Sequence, residues 1–366
     1  MNVPRVYALG NAPLVHLMCH ELASLSFQPK VPEVVLLLQD QKKLNRFLEN
    51  ESKVEIQRNN GGFDGVKQYM ASCSPPKFAS GEIARIDNLI IGENNPRSFI
   101  DSIKKYTESI DCDTNLLLLN PNMGVRDMLR KNIWHEQESL PNLFMGITNL
   151  EDVCRTAEFT IQFPGFHEAL QVCSVPKTHM GYSYEQDVRT TEKLSTTNSL
   201  SRLLKSVNKE ETGSAMGVVS RPYGDLLLYR YEELIVRSCV APISVMYGQQ
   251  AHDLQASDSL TKMIRTLVAE FTYTIKATDK FIPLIPHSKG ALDQHRLFST
   301  VSRHFKKTKY RDFRRPTIND INLSNGFFAL KARKLNIRSP LNDTIMACAK
   351  AKLQLARKSE LDYRYL

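Results

Sequence analysis

Three stretches of this sequence place residue types at spacings that can do chemistry. The first, Gly10-Asn11-Ala12-Pro13-Leu14-Val15, follows a short apolar run and opens a helical pattern. A dinucleotide turn needs glycine at three places: for the tight turn, for close approach of backbone to pyrophosphate, and for helix–strand packing. Gly10 fills the first place, but Ala12 and Val15 stand at the second and third. A methyl at the second place crowds the pyrophosphate, an isopropyl at the third pushes the helix away, and Pro13 withdraws an anion-binding N–H. A vestigial site with no bound cofactor is expected. The second stretch is His16, Cys19 and His20, which share one helical face at a spacing that suits a metal. With no fourth ligand in the pattern, a buried helix face without metal is the expectation. The third is His304-Phe-Lys-Lys-Thr-Lys-Tyr-Arg-Asp-Phe-Arg-Arg315, with six Lys/Arg in twelve residues, one acid, and aromatics at Phe305, Tyr310 and Phe313. Cations attract phosphates and aromatic faces stack on unpaired bases. The plainer alternative is a core position for Phe305 and Phe313 beneath solvated charges.

The elements that must position these residues alternate. Strand patterns at residues 5–9, 34–38, 89–91, 116–119 and 143–148 are separated by helical patterns at 13–25, 41–48, 97–106 and 125–133. Such alternation specifies a parallel α/β sheet. Segments 158–163 and 169–175 alternate in the manner of an antiparallel extension, and the Thr/Ser-rich stretch 176–197 reads as a surface loop. A helix at 199–207 and a strand at 216–220 close this part. Beyond Tyr223 the patterns are helical: 226–246, 259–277, 292–305, 325–335 and 342–357. The fold class expected is a Rossmann-like α/β domain over residues 1–220, then an all-helical domain over 221–366.

Composition bounds the reading. The chain has 366 residues, 42% hydrophobic, enough for two domains, and no apolar run long enough to cross a membrane. The net charge of +9 is unevenly placed: residues 301–366 hold sixteen Lys/Arg against five Asp/Glu, the rest 32 against 34. That asymmetry points to a polyanionic partner, nucleic acid or an anionic membrane surface. Seven scattered cysteines without a CxxC pair argue for a reducing compartment. No signal peptide or Arg/Ser-rich presequence pattern opens the chain, so an organellar address is expected to be internal or uncleaved.

The order of domains resembles the ketopantoate reductase family. So do Ile86-Asp-Asn-Leu-Ile-Ile91, Leu117-Leu-Leu-Asn-Pro-Asn-Met-Gly124, Cys239-Val-Ala-Pro-Ile243 and Asp320-Ile-Asn-Leu-Ser-Asn-Gly-Phe327, the last similar to the family's Glu-Ile-Asp-Tyr-Ile-Asn-Gly-Phe. The resemblance implies an arginine for the NADP 2′-phosphate where this chain has Gln39, followed by Asp40 with Lys42 and Lys43 nearby. It implies a lysine at Asn94 and a carboxamide at Pro121. The family's general-acid lysine falls on Glu233, and its two substrate-holding asparagines on Arg237 and Ala241. Asp320 alone keeps its type. A carboxylate at 233 has the wrong charge to donate a proton or hold an oxyanion. No catalytic residue is expected.

Further segments, among them Pro4–Asn11, Lys30–Leu48, Met70–Cys73, Asn142–Gly146 and Leu361–Leu366, resemble a degenerate branch of that family, the mitochondrial cytochrome b translational activators. That resemblance implies a non-catalytic protein on the matrix side of the inner membrane, peripherally associated with it. It implies action through the 5′ untranslated leader of cytochrome b mRNA with the mitochondrial ribosome, alongside other translational activators, with a homo-oligomer as an option. Contact candidates for RNA or ribosome are Arg303, Lys306, Lys307, Lys309, Tyr310, Arg311, Arg314 and Arg315, extended by Lys331, Arg333 and Lys334. The rivals are an NADPH-dependent 2-dehydropantoate 2-reductase-type oxidoreductase of altered substrate and an adaptor that touches only protein.

Overall fold

The computed structural model describes residues 3–10, 12–58, 63–93, 95–136, 138–148, 153–163, 169–207, 216–247, 257–307 and 316–362. They form two compact units, Met1–Thr178 with Glu185–Tyr223, and His179–Tyr184 with Gly224–Leu366.

In the first unit β1 (Val6–Leu9), α1 (Pro13–Ala23), β2 (Val34–Leu37) and α2 (Gln41–Glu49) are followed by three strands: β3 (Lys53–Arg58), β4 (Phe63–Gln68) and β5 (Met70–Ser72). Then come β6 (Asn88–Gly92), α3 (Pro96–Lys104), β7 (Asn115–Leu119), α4 (Val125–Asn132) and β8 (Asn142–Ile147). The unit continues with β9 (Cys154–Ala157), β10 (Thr160–Phe163), β11 (Leu170–Ser174), α5 (Tyr184–Thr197), α6 (Ser199–Ser206) and β12 (Val218–Ser220). One sheet runs β12-β11-β8-β7-β6-β1-β2-β5, parallel from β5 to β8 and antiparallel where β11 meets β8. All five residues of β6 and of β7 are buried, as a central parallel strand covered on both faces requires. A second sheet, β4-β3-β10-β9, packs against α1 through β3 and β10. Nine of the eleven residues of α1 are buried, and such a helix must be covered on every side. Leu17, Met18 and Leu22 accordingly share one core with Leu36 and Ile90 of the main sheet and with Val54, Ile56, Ile161 and Phe163 of the second.

The second unit is helical: α7 (Tyr223–Tyr247), α8 (Asp258–Thr278), α9 (Ser288–Ala291), α10 (Gln294–Lys307), α11 (Ile318–Leu323), α12 (Asn325–Lys334) and α13 (Pro340–Asp362). Helix α8 is its centre and packs on α10, α12 and α13. Phe271 of α8 stacks on Phe328 of α12, ring centroids 4.2 Å apart.

An α/β domain followed by a helical one is the order expected, but three local readings are corrected. Residues 158–163 do not extend the main sheet, because β10 pairs with β3 in the second one. The stretch 176–197 is not all loop: α5 occupies its second half, with Glu185 and Asp187 in the first turn, where acids suit the helix dipole. Strands β3, β4 and β5 add to the elements expected, and in β3 Val54 and Ile56 alternate with polar neighbours in the strand period. Helix α11 is a further addition, a short helix held by a capping box between Thr317 and Asp320.

Candidate functional site

In the first unit a cavity of about 300 Å³ opens at the carboxyl ends of β1, β2 and β6, where open α/β sheets bind ligands. Gly10, Gln39, Lys43, Glu93 and Lys105 are among its lining residues. Gly10 has φ +109°, and a Cβ there would lie 2.2 Å from the carbonyl oxygen of Gly92, so the turn accepts glycine alone. The Ala12 N–H donates to that same oxygen at 3.2 Å. The expectation that Val15 pushes the helix off the strand is corrected. Room comes instead from the facing strand: a Cβ on Gly92 would be 2.7 Å from Val15 Cγ2 and 3.2 Å from Ala12 Cβ. The missing side chain has moved from helix to strand, and close packing survives.

The electrostatics of the cavity also depart from those of a phosphate site. Glu93 Oε1 accepts a hydrogen bond from Ser102 Oγ at 2.7 Å and stands 3.2 Å from where a Gly10 Cβ would be. Lys105 Nζ donates to the Gln39 carbonyl at 3.1 Å. Asp40 caps α2, its Oδ1 accepting from the Lys43 N–H at 2.8 Å. Lys43 is buried, and burial first, then the Arg155 guanidinium, pushes its pKa down. Lys42 is exposed, and Asn94 lies outside the described residues. Around this turn one N–H is engaged by backbone, Pro13 has none, and the Glu93 carboxylate lines the cavity. Behind it, His16 is buried, and desolvation, then Arg155 and Lys43, pushes its pKa down to about 3. Burial pushes the Cys19 thiol up to about 12. Among the described residues no three His, Cys, Asp or Glu side chains are grouped to hold a metal.

In the second unit Glu233 lies on α7 between Arg230, at 3.4 Å, and Arg237, at 3.1 Å. Both carboxylate oxygens are thereby engaged, Oε2 by Arg230 and Oε1 by Arg237. Ala241 packs in an apolar cluster with Val245, Ile321 and Ala349. Asp320 Oδ2 accepts from Thr317 N–H and Oγ1–H, both at 2.7 Å. In the first unit Pro121 is buried, and the neighbouring Asn120 uses its amide to join the ends of β7 and β8, bonding Thr148 N–H and C=O. Each of these positions has a local structural partner.

Two of the motifs meet in a network that the sequence did not announce. Pro242 sits inside α7 and leaves the carbonyl four residues earlier, that of Ser238, without its helical donor. Asn325, fully buried, donates its amide to that carbonyl at 2.9 Å and to Asn342 Oδ1 at 2.9 Å. Asn342 donates back to the Asn325 carbonyl at 3.2 Å. Glu270 accepts from the N–H groups of Leu341 and Asn342 and so caps α13. A proline with an asparagine some eighty residues on was the available signal.

Of the basic candidates, Arg303 and Lys306 are exposed on α10, and Phe305 between them is a core residue, 1% exposed, which removes it as a stacking surface. Lys331 lies over the Phe327 ring at 5.6 Å, Arg333 pairs with Asp343 at 3.5 Å, and Lys334 is exposed. Lys309, Tyr310, Arg311, Arg314, Arg315 and the side chain of Lys307 lie outside the described residues, as does Phe313.

The family model for the ketopantoate reductase PanE/ApbA C terminal matches residues 225–353. The cytochrome b translational activator CBS2 of Saccharomyces cerevisiae is 31% identical, over all of this chain and 99% of that one. The chain belongs to the CBS2 family. A "Probable 2-dehydropantoate 2-reductase" of Schizosaccharomyces pombe is 22% identical over 96% of this chain and 97% of its own. The solved 2-dehydropantoate 2-reductase of Porphyromonas gingivalis superposes with a TM-score of 0.61 at 10% identity, covering 93% of this chain and 97% of that one. The fold of this CBS2-family chain is thus that of the ketopantoate reductases, an α/β domain followed by a helical one.

Proposed function

We propose that this protein activates translation of cytochrome b mRNA in mitochondria and transfers no hydride. It acts through the 5′ untranslated leader together with the mitochondrial ribosome, from the matrix side of the inner membrane. The observation that carries this reading is the end-to-end likeness to CBS2. The cofactor turn supports it, because the Ala12 N–H that a phosphate would need bonds the Gly92 carbonyl. The basic side chains from Arg303 to Arg315, with Lys331, Arg333 and Lys334, supply salt-sensitive contact to RNA. Neutralising Lys306, Lys307, Lys309, Arg311, Arg314 and Arg315 together is expected to abolish cytochrome b synthesis, measured by pulse-labelling in isolated mitochondria, with the melting temperature kept. Normal labelling of cytochrome b in that variant removes the segment from the reading.

The second reading, an NADPH-dependent reductase of altered substrate, is favoured by the cavity that persists at the strand ends. Calorimetric titration of the purified protein with NADPH separates the two. No heat of binding is expected at micromolar cofactor, whereas saturable micromolar binding would restore the reductase.

A further inference from the structure

We infer that the exposed seam between α8 and α10 is a docking surface for single-stranded RNA. The inference rests on the function proposed above and extends its RNA contact from Arg303 and Lys306 of α10 onto α8. In α8, Leu260, Ile264, Leu267, Val268, Phe271 and Ile275 are buried, and Lys262, Arg265, Tyr273 and Lys276 are exposed. In α10, Leu297, Val301 and Phe305 are buried, while Arg303 and Lys306 are exposed. The Arg265 guanidinium lies over the Phe298 ring at 4.6 Å and marks where the rims of the two helices meet. At a rise of 1.5 Å per residue, Lys262 to Lys276 spans about 20 Å of α8.

The cations of this seam are uncompensated. Among the described residues Lys262, Arg265, Lys276, Arg303 and Lys306 pair with no carboxylate. Arg230, Arg237, Arg296 and Arg333 of the same unit each do. Of the nearby acids, Asp258 lies in the first turn of α8, Glu270 is engaged by the start of α13, Asp279 accepts from the Tyr231 hydroxyl and Asp293 from the Arg296 N–H. The kind of apolar surface decides between RNA and lipid. Tyr273, 61% exposed, is an aromatic, and no aliphatic side chain of α8 or α10 is among the exposed large hydrophobics. A bilayer surface takes up inserted apolar side chains, and the exposed leucines of this unit, such as Leu330, Leu335 and Leu355, lie on other elements. Uncompensated cations beside an open tyrosine and a guanidinium stacked on a ring match an unpaired strand, phosphates on the charges and bases on the flat faces.

The test is fluorescence anisotropy of the purified full chain with a labelled polyuridine of about twenty nucleotides, over a range of salt. The triple variant Lys262→Glu, Arg265→Glu, Lys276→Glu is expected to bind at least about tenfold more weakly, with the slope of log affinity against log salt reduced by about 2. Tyr273→Leu, an exposed position that spares the fold, is expected to weaken binding about tenfold with the slope unchanged. Wild-type affinity and slope in both variants overturn the seam while leaving the proposed function standing. Failure of the wild-type chain to bind RNA overturns both the seam and direct RNA contact by the protein, and co-sedimentation with phosphatidylglycerol vesicles would then assign the cations to lipid.

Discussion

Replacing Asn325 by leucine is expected to lower the melting temperature by roughly 5–15 °C, for a loss of about 2–5 kcal/mol. Leucine is close enough to asparagine in size that the loss is mainly one of hydrogen bonds. The Ser238 carbonyl, already without a helical donor because of Pro242, loses its amide partner, and Asn342 Oδ1 loses its donor in a fully buried place. Each buried polar group left unsatisfied costs about 1–3 kcal/mol. Pro242→Ala supplies an N–H in register with the Ser238 carbonyl, so the double variant is expected to recover part of the loss. Thermal melts of wild type, both single variants and the double variant form the cycle that checks this. Additive effects of the two changes would show that proline and asparagine are not coupled through that carbonyl.

The second large effect is a loss of stability in acid that His16 sets. Its folded pKa is about 3, against about 6.5 unfolded, because burial and then Arg155 and Lys43 oppose a positive charge there. Between those values the unfolded chain carries a proton on this ring that the folded one refuses. Stability from this group is therefore complete above about pH 6.5 and falls as pH drops toward 3, by up to roughly 1.4 kcal/mol per pH unit. His16→Leu is expected to flatten the urea-unfolding stability curve over that window while costing stability little at a pH of about 8. Parallel curves for wild type and variant between about pH 6.5 and 4 would show that the ring protonates freely in the fold.

Much of the fold was legible because the strands of a parallel sheet are short apolar runs and the regions of α7 and α8 read as long amphipathic helices. Strands β3 to β5 were not, since the run 53–72 is polar on one face and β10, the partner of β3, lies about a hundred residues on. At the site, Ala12 and Val15 depart from the glycine pattern by residue type alone, whereas Glu233, Arg237 and Ala241 are departures only by the family resemblance. What compensates for them could not be read locally. Gly92 is an ordinary strand end in the sequence, and only its place beneath Val15 gives it a role; the same holds for Glu93 beside Gly10.

By itself the sequence determined the two-domain order and the basic C-terminal part, since each depends on residue type or on short-range periodicity. Tertiary structure alone decided that a glycine on β6 makes room for a helix valine, that Glu233 sits between two arginines, and that a buried asparagine completes a helix interrupted by proline. Those relations join residues far apart in the chain or depend on which way a side chain turns, and neither the distance nor the direction is written in local sequence.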